Sequence, residues 1–325
     1  MIKNKVKLLY SIIIFIMIWA VGCSADAHDS YTNTDKDNVQ SYTFKDDLDR
    51  EVTVASHDRV ATLIGSFADI WILSGGKLTA TAADTWDSFE LDLDESVINL
   101  GSLQKPNAEL IIAAQPDFVI ASSNIEAHVA LEPVLTKAGI TVAYFCVNQF
   151  EDYLHMLDIC TNITQRKDLY QKNGVEVEHH IQEILKRVDG SSPKILFLRA
   201  STSGIKVKGS SGTVGGEILK SLGSINIADS DKSMLDTLSL ESIIVANPDY
   251  IFLTCQGSDM EKIMSNVEKN LTDNPAWSSL KAVQNGQYYV LDKRLYNQKP
   301  NAMSITCMQL LCWKQYCNNE SSQPA

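Results

Sequence analysis

Short apolar runs alternate with helix-type patterns along the first half of the chain. Four runs rich in β-branched and apolar residues predict strands: 59–64, 78–83, 117–122 and 141–147. Three stretches between them have apolar positions at helical spacing: 67–73, 108–115 and 128–139. Residues 43–54 alternate like a short hairpin. Strands that alternate with helices predict a parallel sheet with helices on its faces.

The second half of the chain repeats this plan. Its predicted strands are 194–200, 225–228, 249–255 and 287–292, and its predicted helices are 215–223, 239–247 and 260–270. The sequence therefore predicts an α/β fold with two similar lobes, each built on a mostly parallel sheet. We place the first lobe at 43–164 and the second at 190–325.

One segment occurs in both lobes. ELIIAAQPDFVIAS starts at Glu109, and ESIIVANPDYIFLT starts at Glu241. In each copy a proline stops a helix, since the residue before proline disfavours helical geometry, and an aspartate begins a buried strand. We therefore expect the same helix–strand unit in each lobe.

A long helical pattern at 165–189 separates the two lobes. Its apolar side chains fall on one face and its charges fall elsewhere. About 25 residues at 1.5 Å each give a helix of roughly 35 Å, long enough to act as a stiff bridge. Gly174 softens its first third.

The first 22 residues have the layout of a secretory signal. Lys3, Lys5 and Lys7 precede an apolar run that ends at Val21 and is short for a permanent membrane helix. The Ala-Val-Gly-Cys sequence ending at Cys23 resembles the lipobox of bacterial lipoproteins, although that family usually has Leu where Ala20 stands. The resemblance implies that Cys23 carries lipid such as palmitate on the extracytoplasmic face of the cell membrane. Residues 23–42 are small, polar and acidic, and predict a flexible tether.

Composition and charge narrow the function classes. The 325 residues are 45% hydrophobic, which is sufficient for two cores. Removal of residues 1–22 takes away three lysines and no acid, so the formal charge falls from −12 to −15. Nucleic acid is not expected as a partner, because binding the phosphate backbone requires clustered Lys and Arg.

Catalytic and metal motifs are absent from the sequence. It has no G-x-S-x-G, H-E-x-x-H or C-x-x-C, and the glycine-rich segment 209–216 lacks the Lys-Ser/Thr ending of a P-loop. The histidines show no ligand spacing. We therefore expect no enzyme activity, no cofactor and no metal ion held by the protein alone.

The order of these segments resembles the substrate-binding lipoproteins of ABC importers in the iron-siderophore, haem and cobalamin class. The most specific pieces are RVATLIGSFADIWILSGG at 59–76, the two repeated units, the bridge, and NPAWSSLKAVQNGQYYVLD at 274–292. The resemblance covers 43–302. It implies a monomer with two lobes facing each other across a cleft, joined by one helix that limits motion, and a metal that arrives inside an organic chelate. The alternative hypothesis is a lipid-anchored sensor or enzyme that reuses this fold.

Candidate ligand residues follow the strands, since parallel sheets bind ligands beyond the carboxyl ends of their strands. They are Ser66, Phe67, Trp86, Ser123, Arg199, Arg294 and Tyr296. Trp86 lies in a predicted polar loop and is suited to stacking on a ligand. Arg199 follows an apolar run, so it needs an anionic ligand group or a neighbouring acid. Lys293, Arg294 and Lys299 suit an anionic chelate, although surface solvation also explains them.

The resemblance implies that two acidic residues dock on arginines of the membrane permease. The matching positions are Glu109 and Glu241, one in each lobe. Two equivalent carboxylates can each pair with one arginine of a permease dimer. The alternative is that each glutamate merely complements a helix dipole.

The tail after residue 302 departs from the family pattern. Family members continue with an Arg-Trp pair and a closing amphipathic helix, whereas 302–325 holds three of the seven cysteines and no clear apolar period. Back-translation in the shifted frame permits a good helix. We therefore predict a frameshift from about residue 303 and the loss of a helix that should cover the second lobe. The alternative is a genuine divergent tail.

Overall fold

The structure is a computed structural model that describes residues 41–89, 91–236, 238–257, 259–296, 299–312 and 314. The predicted signal, the lipidation site Cys23 and the tether up to residue 40 lie outside this part. Within the described ranges, none of the helices combines the length and the apolar character needed to cross a membrane.

The elements follow the predicted alternation of strands and helices. The strands are β1 Tyr42–Lys45, β2 Glu51–Val54, β3 Val60–Thr62, β4 Leu78–Thr81, β5 Ile98–Asn99, β6 Phe118–Ser122, β7 Thr141–Phe145, β8 Lys194–Ser201, β9 Gly204–Lys208, β10 Ile225–Asn226, β11 Tyr250–Gln256 and β12 Tyr288–Leu291. The α-helices are Gly65–Leu73, Asp84–Asp87, Ala108–Ala113, Glu126–Val129, Glu132–Lys137, Phe150–Ile163, Lys167–Tyr170, Glu176–Leu185, Val214–Ser221, Ile227–Ser230, Ser233–Asp236, Leu240–Ala246, Met260–Val267, Lys281–Gln284, Lys293–Tyr296 and Ser304–Cys312. Strands β5 and β9 were not predicted.

The first sheet has the order β5-β4-β3-β6-β7, and its pairs are parallel. Successive side chains of β6 enter two different cores, because side chains alternate across a sheet. Phe118 and Ile120 pack under the helices Gly65–Leu73 and Phe150–Ile163. Val119 and its neighbours on that side pack with Ile111 and Leu135 of the opposite helices.

The second sheet has the order β10-β8-β11-β12, with parallel pairs, and β9 runs antiparallel to β8. Leu196 and Leu198 face one core, and Phe197 faces the other. The predicted α/β class with two sheet-based lobes is confirmed, while the exact residue limits of the lobes stay a prediction.

The repeated segment forms the same unit in both lobes. Gln115 and Asn247 both end their helices with a left-handed backbone, at φ of 49° and 43°. The following aspartate then joins its strand to a neighbour. The backbone N–H of Asp117 donates to the carbonyl of Arg59 at 2.9 Å, and that of Asp249 donates to Lys194 at 2.8 Å.

The side chains of these aspartates form a second hydrogen bond to the same neighbouring residues, and here the aspartate is the acceptor. Asp117 accepts from the backbone N–H of Arg59 at 3.2 Å, and Asp249 accepts from that of Lys194 at 3.0 Å. Each carboxylate therefore fixes the start of two adjacent strands. This structural task explains why the Pro-Asp pair occurs at the same place in each lobe.

The bridge is helical but shorter than the predicted 165–189. It runs as Lys167–Tyr170, a π-helical turn at Gln171–Val175, and Glu176–Leu185. From end to end this gives about 28 Å. Gly174 lies in the π-helical turn, where a Cβ would lie 3.2 Å from Leu154 Cδ2. The glycine therefore allows the bridge to pack closely against the first lobe.

The tail contains a helix, contrary to the expected loss of one. The helix Ser304–Cys312 places Cys307, Met308, Leu311 and Cys312 beside the bridge, in the core of the second lobe that contains Phe197. The sequence interpretation did not count the cysteines as apolar residues, although a buried free cysteine behaves as one. The expectation that the second lobe lacks a covering helix is therefore wrong, whereas the frameshift itself stays a prediction.

Candidate functional site

A cleft of about 630 Å³ lies where the carboxyl ends of the two sheets meet. From the first lobe it is lined by Ile64, Ser66, Asp84, Asp87, Ser88, Phe89 and Leu103. From the second lobe it is lined by Cys255, Gln256, Gly257, Lys293 and Lys299. Its volume suits a small-molecule ligand, and most of its lining residues are polar or charged.

The first-lobe wall depends on Gly65, which begins the helix after β3. Its backbone N–H donates to Asp84 Oδ2 at 2.9 Å. A Cβ at this position would lie 2.8 Å from Phe89 Cδ2 and 2.9 Å from the backbone nitrogen of Thr85. Only glycine lets the segments after β3 and β4 approach this closely.

Two polar atoms of this wall are buried and have no hydrogen-bond partner among the residues that the structure describes. They are Ser66 Oγ and Asp84 Oδ1. Ser66 is 3% exposed, and burial raises the pKa of the Asp84 carboxyl above its usual value. Buried polar groups are normally satisfied, so this wall lacks a partner that a ligand can supply.

The second-lobe wall is basic and is tied to the first lobe. Lys299 Nζ donates to the carbonyl of Val147 at 2.5 Å, and burial lowers the pKa of this ammonium group. Two residues later, Asn301 Nδ2 donates to Asp69 Oδ2 at 3.1 Å. Burial raises the pKa of Asp69 to about 6. The segment 299–301 therefore connects the two lobes beside the cleft.

A cationic cluster lies at the same end of the second sheet. Arg199 pairs in register with Thr254 on one side and with Lys206 on the other, and Lys208 follows on β9. Arg199 Nε is buried and has no hydrogen-bond partner in the described part of the chain, and burial lowers the pKa of this guanidinium. Burial and the two neighbouring cations lower the pKa of Lys208. Among the described residues, no ion pair includes any of the three.

The structure brings only some of the predicted ligand residues to the cleft. Ser66 lines it. Phe67 is fully buried and packs edge-on against Phe145, with ring centroids 6.3 Å apart. Tyr296 is 1% exposed, and its hydroxyl donates to the carbonyl of Cys307 at 3.0 Å. Both belong to the core, because each lies on a helix that directs its side chain inward.

Trp86 and Ser123 also lie away from the cleft lining. Trp86 is half-buried on the helix Asp84–Asp87, where a polar loop was predicted, and Phe89 lines the cleft instead. Ser123 Oγ donates to the carbonyl of Phe145 at 3.2 Å. Arg199 stands one residue before Ala200, which pairs with Cys255 of the cleft wall. The side chain of Arg294 lies outside the described part of the chain.

Phe89, Asp84 and Asp87 line the cleft, although none of them was among the predicted ligand residues. All three follow β4 in the chain, so their place after a strand was a usable signal. Asp84 lies at the strand end from which only Trp86 was chosen.

The two predicted docking residues occupy equivalent exposed positions. Glu109 lies in the first turn of Ala108–Ala113 and Glu241 in the first turn of Leu240–Ala246. In the second lobe, the helix of Glu241 packs on one face of the sheet and the bridge packs on the other. Each lobe therefore presents one carboxylate on an outer helix.

Known proteins are similar to this chain in sequence and in fold. The Fe(3+)-citrate-binding protein YfmC of Bacillus subtilis is 24% identical over 307 residues, which are 90% of each chain. The FeuA structure of Bacillus subtilis with ferri-bacillibactin matches with a TM-score of 0.65 and 21% identity, over 86% of this chain and 100% of FeuA. The Staphylococcus aureus SirA structure with staphyloferrin B matches with a TM-score of 0.64 and 19% identity, over 85% of this chain and 98% of SirA.

These relatives are binding proteins by name, and the shared fold is the two-lobed one described above. The model of the periplasmic binding protein family matches residues 60–295, which include both five-stranded sheets and the bridge between them but not the separate hairpin β1–β2. The chain belongs to the periplasmic binding protein family.

Proposed function

We propose that this protein is the extracytoplasmic receptor of an ABC importer, which captures an iron(III)-siderophore or a related chelate such as iron citrate, haem or a corrinoid. It delivers that chelate to a permease dimer in the membrane. The observation that carries this proposal is the unpartnered, buried guanidinium nitrogen of Arg199 at the cleft end of the second sheet.

A buried guanidinium N–H without a partner is costly, and an anionic ligand group is the partner that best satisfies it. The formal charge of the whole chain is −12, yet Lys206 and Lys208 lie beside Arg199, and Lys293 and Lys299 line the second-lobe wall of the cleft. Chelates of iron(III) by carboxylates or catecholates are anionic. The relatives that bind Fe(3+)-citrate and ferri-bacillibactin support this choice of ligand class.

The protein binds the organic shell of the chelate, and the metal enters as cargo. No cofactor takes part in this function, and no bond of the ligand is broken. Among the described residues, no group of three His, Cys, Asp or Glu side chains is arranged to hold a metal ion.

A chelate panel tests this function. At 100 times its dissociation constant, the true ligand should stabilise the protein by roughly 2.7 kcal/mol, measured as a thermal shift, and should be recovered unchanged. Arg199→Met should weaken binding about 10- to 100-fold, because a charge-assisted hydrogen bond is worth about 1.5–3 kcal/mol. Intrinsic fluorescence titration measures the affinity.

Arg187→Met is the matched control, because Arg187 is exposed near the end of the bridge and its loss changes the net charge equally. Equal affinity of the two variants for the chelate would show that Arg199 does not contribute to the binding site. Turnover of a bound compound would favour the alternative function, a lipid-anchored enzyme or sensor with the same fold.

We also propose that the mature protein is a monomer held at the membrane by lipid on Cys23. Members of periplasmic binding families work outside the cytoplasm, and the sequence before residue 43 supports an anchor with a tether. Cys23→Ala should move the protein from the membrane fraction to the soluble exported fraction and abolish palmitate labelling. Unchanged membrane association of this variant would contradict the anchor.

A further inference from the structure

The two walls of the cleft carry opposite charges. Asp84 and Asp87 line the first-lobe side, which has no basic residue among its lining residues, and Lys293 and Lys299 line the second-lobe side, which has no acidic one. In the part of the chain that the structure describes, no ion pair connects the walls. Neither wall therefore neutralises the other, and both charges remain available to a ligand that spans the cleft.

One carboxylate oxygen of the first-lobe wall needs a hydrogen-bond donor. Asp84 Oδ2 accepts from the backbone N–H of Gly65, but Asp84 Oδ1 is buried and has no hydrogen-bond partner among the described residues. An ionised carboxylate oxygen can only accept, so it needs an N–H or O–H group. The hydroxyl of Ser66, which is 3% exposed, is also unpartnered and can accept from the same group.

The second carboxylate makes an ammonium group the best donor. Asp87 lies three residues after Asp84 on the same short helix and also lines the cleft. Residues three apart on a helix lie on the same side. An ammonium group has three N–H donors and a positive charge, so it matches two carboxylates and one hydroxyl better than a neutral hydroxyl does. A purely anionic chelate would instead place like charge against this wall.

Resting on the proposed function, we propose that the ligand is an amphoteric iron(III) chelate. Its free ammonium group is held by Ser66, Asp84 and Asp87, and its anionic group faces Lys293 and Lys299. The first-lobe carboxylates are then specificity determinants. They select against chelates that carry only negative charge, such as iron(III) citrate.

Three ferrioxamines with the same iron(III) trihydroxamate centre test this assignment. Cyclic ferrioxamine E has no charged end group, ferrioxamine B ends in an ammonium group, and the linear ferrioxamine G1 ends in an ammonium and a carboxylate. The expected affinity order is G1 above B above E, with about tenfold per step, or about 1.4 kcal/mol. Asp84→Asn should lower the affinity for G1 and for B about tenfold more than it lowers the affinity for E.

Asp273→Asn is the control, since Asp273 is exposed in the second lobe and its loss changes the net charge equally. Retained binding of E shows that the Asp84→Asn variant is folded. Equal affinity for E and G1, or an equal effect of Asp84→Asn on all three, would overturn the assignment. Binding of iron(III) citrate without any ferrioxamine would overturn it and leave the proposed function intact, and binding of no chelate would overturn both.

Discussion

Cells that carry the double variant Glu109→Ala/Glu241→Ala are expected to take up no chelate, although the purified variant binds its ligand with unchanged affinity. Both glutamates are exposed in the first turns of equivalent helices, and neither lines the cleft. In the proposed importer each pairs with one arginine of the permease dimer, so the two charges set orientation as well as attraction. Each single variant should lose part of the uptake.

Uptake of radiolabelled iron and fluorescence titration of the purified protein measure the two quantities separately. The matched control is Glu126→Ala/Glu261→Ala, because these glutamates are also exposed in first turns, one in each lobe. It removes the same helix-dipole contribution, about 0.3–1 kcal/mol per residue. If both double variants lost uptake, Glu109 and Glu241 would have only the helix-dipole role. If the Glu109→Ala/Glu241→Ala protein lost affinity for the chelate, these two residues would belong to the cleft.

Leu311→Ala is expected to lower the free energy of unfolding by about 2–5 kcal/mol. Leu311 is fully buried in the tail helix Ser304–Cys312 and belongs to the core that contains Leu219 and Ile181. Truncation to alanine leaves a cavity that this close-packed core cannot fill. Urea unfolding measures the change.

Gln309→Ala is the control on the same helix, because Gln309 is exposed and its truncation should change stability by no more than about 0.5 kcal/mol. If Leu311→Ala were equally mild, the tail helix would not cover the second lobe. That result would support the prediction from the sequence that the tail replaces a native helix that has been lost. The gene sequence at this locus decides the frameshift itself.

The repeated unit shows what the sequence could predict. Proline stops the helix and aspartate starts the strand, and both effects depend only on neighbouring residues. The segments that begin at Glu109 and Glu241 therefore predicted the same helix–strand unit in each lobe. The bridge helix was also predicted, because an apolar stripe at helical spacing can be recognised in a short stretch of sequence. Its π-helical turn was not predicted; the turn contains Gly174, where a Cβ would lie 3.2 Å from Leu154 Cδ2.

The cleft was predicted only in part, for a physical reason. The position of a residue after a strand fixes the edge of the sheet at which it lies, and Ser66 lines the cleft at this edge. It does not fix the direction of the side chain, which depends on the element that follows. Phe67 and Tyr296 therefore lie in the core, and the carboxylates of Asp84 and Asp87 line the cleft.

The bridge has a consequence for the kinetics of transport. A helix that joins the lobes, reinforced by the contacts of Lys299 and Asn301 with the first lobe, resists hinge closure. In the proposed importer, Glu109 and Glu241 then keep nearly the same separation whether the receptor is empty or loaded. Empty receptors therefore compete with loaded ones for the same permease. At a fixed supply of chelate, an excess of receptor slows import.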